Sequence, residues 1–134
     1  MKYLLDTCTI SYFIRGDANA MANLKNCAPH LIHVSSISIM EIEYGLLLNP
    51  IYGSKIRSII SKFLDNVCIL PYAANDAFIS ATLRAGLKKN GRPVGAYDLL
   101  LAGTAINHNL ILVTSNTKEF SHIPSLKLQD WQKR

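Results

Sequence analysis

Residues 2–11 read KYLLDTCTIS, a short apolar run, Tyr3-Leu4-Leu5, that stops at Asp6 and passes at once into Thr7, Cys8 and Thr9. The run has the length and composition of a buried strand. Asp6 suits the N-cap of a helix starting near Thr7, because an aspartate side chain accepts hydrogen bonds from the free amides of a first turn. A carboxylate at that place has a second use. In an open parallel sheet, ligands bind outside the carboxyl ends of the strands, where the chain leaves the sheet for a helix. Which use applies to Asp6 depends on what else reaches that edge.

Similar apolar runs bounded by turn residues occur at Leu31–Val34, Val67–Leu70 and Leu110–Val113, with a weaker one at Leu126–Leu128. Helical spacing fills the intervals, at about Cys8–Arg15, Ala18–Cys27, Ser36–Leu48, Tyr52–Asn66, Asn75–Lys89 and Ala96–His108. Parallel strands need long crossovers, so this alternation predicts an α/β fold with a central, mostly parallel sheet of four or five strands covered by helices on both faces. No repeat or low-complexity linker interrupts residues 1–134, which predicts a single domain. Ser115 and Asn116 follow the fourth apolar run as Asp6 follows the first, which puts all three on one rim.

The chain has 134 residues, 49% of them hydrophobic, enough for a sizeable core. No run approaches a bilayer span and no signal-peptide pattern opens the chain, so the expected location is the cytoplasm. Cys8, Cys27 and Cys68 are scattered and read as reduced core residues. His30, His33, His108 and His122 share no ligand spacing with one another or with cysteine, which sets zinc aside. Fourteen Lys and Arg against nine Asp and Glu give a net charge of +5, which favours a polyanionic partner. Arg84, Lys88, Lys89 and Arg92 concentrate this charge within LRAGLKKNGR and are candidates for nucleic-acid binding.

The stretch SISIMEIEYGLLL, residues 36–48, is apolar nearly all round and predicts a helix buried on most sides, yet it carries Glu41 and Glu43. A buried carboxylate needs a partner, a hydrogen bond or a metal. Ser38 and Gly45 leave room beside Glu41, whereas Ile39, Met40, Leu46 and Leu47 crowd Glu43, so Glu41 is the better candidate for an open cleft. In GRPVGAYDLLLAGTAINHN, Pro93 and Gly95 close the preceding segment and Asp98 falls in the first turn of an apolar helix, where an acid also favours the helix dipole. Carboxylates gathered in one place repel, and such a cluster usually exists to hold a hard divalent cation. Mg²⁺, or Mn²⁺ in its place, takes few carboxylates and often substrate phosphates, the chemistry of phosphodiester hydrolysis.

Four stretches, LLDTCTIS, SSISIMEIEYG, GRPVGAYDLLLAGTA and LILVTSNTKEF with the following LKLQDW, resemble the signature blocks of PIN-domain nucleases of the VapC toxin type, over nearly the whole chain. That resemblance implies the PIN α/β/α sandwich and endoribonuclease activity on RNA. It also implies a homodimer and a small cognate antitoxin of VapB type, through which the pair binds operator DNA. Its catalytic positions fall on Asp6, Glu41, Asp98 and Asn116, with Asp6 and Asp98 as metal ligands. Thr7 and Ser115 match hydroxyl positions lining the site, and Glu119 is placed to supply the charge that Asn116 lacks.

Other readings fit less of the sequence. A haloacid-dehalogenase phosphatase needs a second Asp where Cys8 stands, and no glycine-rich phosphate loop follows the first strand. A PIN domain without activity, serving only with an antitoxin in a DNA-binding repressor, is the remaining alternative. Tyr97 and Trp131 are able to stack on bases, although a tryptophan so near the end more often packs the chain down.

Overall fold

The computed structural model describes residues 1–92 and 94–132. Five strands, β1 (Tyr3–Leu5), β2 (Ile32–Ser35), β3 (Cys68–Leu70), β4 (Ile111–Val113) and β5 (Leu128–Gln129), form one sheet in the order β3-β2-β1-β4-β5. Every pairing is parallel, as the alternation of strands and helices predicts. Leu5 lies opposite both Val34 and Val113 in register, so β1 is the central strand.

Successive strand residues point to opposite faces, and here both faces are covered. Leu4 and Leu112 enter one core with Leu101, Ala105 and Phe120. Leu5, Val34 and Val113 enter the other with Ile10, Phe63 and Trp131. This explains why the strands read as continuous apolar runs. Trp131 packs edge-on against Tyr3, with ring centroids 5.3 Å apart, and so ties down the end of the chain rather than standing free.

Helices α1 (Thr7–Ile14), α2 (Ala18–Lys25), α3 (Ser36–Leu48), α4 (Pro50–Leu64), α5 (Ala74–Lys89), α6 (Ala96–Asn107) and the short α7 (Thr117–Phe120) make up the layers. Helix α4 starts earlier than its periodicity suggests, because Pro50 occupies its first turn, where a missing N–H costs nothing. A single 3-10 turn, Pro29–Leu31, delays β2 to Ile32. Helix α7 has too few residues to show periodicity and is absent from the sequence reading. Pro93, read as a helix stop, lies outside the described residues.

Helices α5 and α6 approach closely at Gly103. A Cβ there would stand 2.1 Å from Ser80 Oγ and 3.0 Å from the Asp76 carbonyl oxygen. Asp76, fully buried, accepts from the Ala73 amide (3.1 Å) and from Asn107 Nδ2 (2.7 Å), so one carboxylate caps α5 and fastens it to the end of α6.

Two expectations are overturned. Helix α3 is not buried on most sides: Ile37, Ile39 and Ile42 pack against the cores, but Met40, Tyr44, Leu47 and Leu48 are 42–65% exposed. These apolar residues therefore meet solvent instead of a core. None of the cysteines is a fully buried core residue: Cys8 is exposed, Cys68 is half-buried on the edge strand β3, and Cys27 is half-buried against the core that holds Ile10 and Phe63.

Candidate active site

Asp6 N donates to the Val113 carbonyl at 3.0 Å, which continues the β1–β4 ladder by one step. The residues just past each strand, Asp6 and Thr114, therefore stand side by side at the carboxyl edge of the sheet. Asp6 is 3% exposed and its Oδ1 accepts from the Thr9 amide at 2.8 Å, so it does cap α1. The cap occupies one oxygen of the carboxylate. Burial pushes the Asp6 carboxyl above its usual range, against the hydrogen bonds from the Thr114 hydroxyl and the Thr9 amide, while the charge of Asp130 adds to the rise.

Glu41 comes to the same edge from α3. Thr7 Oγ1 donates to Glu41 Oε1 at 2.7 Å and lies 3.1 Å from Ser38 Oγ, so the small residue one turn before Glu41 makes the space for this contact. Glu43 points elsewhere. Its two oxygens accept from Arg57 of α4, both at 2.7 Å, and these bonds hold its carboxyl below the usual range.

Asp98 stands in the first turn of α6, and its carboxyl is raised to about 6, chiefly by desolvation and then by the negative charges of Glu119, Asp6 and Glu41. Asp6, Asp98 and Glu41 in turn push up the thiol of Cys8, after partial desolvation. Thr7, the residue after Asp6, bonds Glu41, and the charges of Asp6 and Glu41 reach Asp98, so the three acids border one cleft, with Cys8 beside it. Glu119 is tied to the far wall: its Oε1 accepts from the Gly95 amide at 2.7 Å and its Oε2 from Asn116 Nδ2. Asn116 thus orients Glu119, whose charge acts on Asp98. Ser115 is half-buried on the same rim.

Among the described residues no lysine or arginine acts on Asp6 or Asp98. An acid raised by its acidic neighbours, as Asp98 is, marks the setting a divalent cation neutralises. Among the described residues no three His, Cys, Asp or Glu close into a cage. An open site with few carboxylates suits a hard divalent cation that keeps several waters. Thr9, Thr114 and Asp130 were not singled out from the sequence. The signal for Thr114 was available: it follows β4 as Asp6 follows β1.

The PIN domain family matches residues 3–126. This chain belongs to the PIN-domain family. Among proteins similar to this PIN domain, ribonuclease VapC2 of Rickettsia felis is 36% identical over 135 residues, covering 99% of this chain and 100% of the relative. The tRNA(fMet)-specific endonuclease VapC of Salmonella typhimurium is 30% identical over 131 residues, 98% of each. In three dimensions it resembles the crystal structure of VapBC2 from Rickettsia felis bound to a DNA fragment from their promoter, with a TM-score of 0.87, 34% identity, and 98% and 99% of the two chains covered.

The basic residues divide. Arg84, Lys88 and Arg92 line one groove of about 660 Å³ between the end of α5 and the start of α6, and Lys89 is not among its lining. A spacing of four residues keeps Arg84 and Lys88 on one helix face, from which Lys89 turns away. No helix among the described residues is long and apolar enough to cross a membrane.

Proposed function

We propose that this PIN domain is a metal-dependent endoribonuclease, the toxin of a toxin–antitoxin pair, cleaving RNA phosphodiester bonds. The observation that carries this reading is the meeting of Asp6, Glu41 and Asp98 at the carboxyl edge of the sheet, where Thr7 holds Glu41 and the charges of Asp6 and Glu41 act on Asp98. End-to-end similarity to proteins named as ribonucleases and endonucleases supports it. The similarity to DNA-bound VapBC complexes supports a VapB-like antitoxin partner and operator DNA bound through it.

Asp6 and Asp98 hold the cation, Mg²⁺ with Mn²⁺ as a substitute. When bound, it supplies charge neutralisation at the phosphate and lowers the pKa of a water. Thr7 keeps the Glu41 carboxylate turned into the cleft, where it orients the attacking water. Asn116 and the Gly95 amide hold Glu119 against the opposite wall, and Ser115 lines the rim. Arg84, Lys88, Lys89 and Arg92 draw RNA towards these acids. The half-exposed apolar surface of α3 suits a homodimer or antitoxin interface.

The test is cleavage of RNA by the purified chain with Mg²⁺, with EDTA, and with Asp98→Asn. Cleavage confined to the wild type with metal is expected. A wild type that binds its antitoxin but leaves RNA intact with both Mg²⁺ and Mn²⁺ would identify a repressor subunit instead.

A further inference from the structure

The groove beside the acids has a composition that charge steering alone does not require. Its floor is apolar, formed by Leu87 of α5, Val94 of the loop, and Leu99 and Leu100 of α6. Its rim carries Arg84, Lys88 and Arg92, and no acid among the described residues lines it. Arg84 and Lys88 form no hydrogen bond or ion pair among the described residues, whereas Arg92 meets His122 at 3.1 Å. At the end nearest the acids stands Tyr97, 48% exposed and without a hydrogen bond among the described residues.

Tyr97 and Asp98 are consecutive in the first turn of α6. Neighbours on a helix point about 100° apart. As Asp98 turns towards Asp6 and Glu41, Tyr97 turns into the groove, and one helical turn thus joins the two sites. Resting on the nuclease reading above, we propose that this groove is a nucleobase subsite. The base flanking the scissile phosphate lies on the apolar floor against the ring of Tyr97, and Arg84 and Lys88 hold the next phosphates. An aromatic face, an apolar floor and unpaired cations are the three features that single-stranded nucleic acid uses, a π-surface for the base and positive charge for the backbone. An apolar peptide segment would leave the cations unpaired in its shadow.

The test measures binding of a labelled single-stranded RNA to the full chain in EDTA, and KM and kcat for cleavage of the same RNA with Mg²⁺. Tyr97→Ala should raise Kd and KM about tenfold, with kcat less affected, because one base–aromatic contact is lost. Tyr97→Phe should keep both, since the ring remains. In a series of RNAs each lacking one base, a single position should cost the wild type a similar factor and cost Tyr97→Ala almost nothing further, since contacting partners are not additive. Lys88→Ala should weaken every RNA alike and reduce the salt slope by about one. Tyr97 is exposed, and a thermal melt confirms that each variant folds. If Tyr97→Ala binds and cleaves as the wild type does, or if its loss simply adds to that of every abasic position, the subsite is refuted and the nuclease reading stands. If the wild type itself cleaves no RNA with either metal, the nuclease reading falls and the subsite falls with it.

Discussion

Two glutamates two positions apart on α3 have opposite surroundings, and that difference sets their expected roles. Glu41 is held in the acid cleft by Thr7, whereas Glu43 pairs with Arg57 across an exposed helix surface. Glu41→Gln should reduce RNA cleavage at least a hundredfold, and Glu43→Gln should change it less than threefold, in single-turnover assays. Asp98 sets the pH response of the metal-free protein. Its folded carboxyl, raised from 3.8 to about 6, holds a proton more tightly than the unfolded chain does. Its contribution is therefore most favourable below about pH 4 and is lost as pH rises to about 6. Urea titrations in EDTA across that window should show stability falling with pH in the wild type and a flatter profile in Asp98→Asn. Asp6→Asn should keep the α1 cap, because asparagine caps about as well as aspartate, and it also removes a buried charge. Metal-free melting should be unchanged or higher, cleavage should be lost, and the rise in Tm with Mg²⁺ seen in the wild type should shrink.

At the level of elements, the cleft depends on α6 being carried to the sheet edge at a fixed height. Gly103 sets that height from the rear, since its missing side chain lets α5 and α6 touch at Ser80 and at the Asp76 carbonyl. Gly103→Ala should destabilise by about 1–3 kcal/mol in a denaturant titration, because backbone as well as the Ser80 side chain must move to admit a methyl group. Activity per folded molecule should fall as well, because displacing α6 moves Asp98. Helix α7 acts from the front. Though only one turn long, it lets Glu119 bind the amide that opens α6, so the loop after β4 and the start of α6 are fastened together.

Across the whole molecule, charge is divided between two neighbouring regions: an acid cleft at the sheet edge and a basic groove beside it, within a net charge of +5. A polyanion is drawn by the second and is repelled by the first until a cation is bound. Affinity for RNA should therefore fall with salt, and Lys88→Glu should flatten that dependence more than Lys89→Glu, since Lys88 lines the groove and Lys89 does not. Equal effects from the two reversals would show that only the overall charge matters.

The order of strands and helices, and the presence of Asp6 on the functional edge, were legible in the sequence. Apolar periodicity and the abrupt polar residue after a strand are local signals, and parallel topology leaves such residues on one rim. The choice of Glu41 over Glu43 rested on local spacing, and the structure brings Glu41 to the rim beside Thr7. What stayed hidden depended on contacts between distant segments. The apolar run of α3 does not tell whether a core or solvent lies beside Leu47 and Leu48, and only the packing of the other elements decides that. Thr114 matters because β4 lies next to β1 in register, a pairing of residues more than a hundred positions apart. Which face of α5 borders the groove, and the link from Glu119 to Gly95, likewise come from how α5, α6 and α7 pack, because neighbourhood is a property of the packed layers rather than of any one segment.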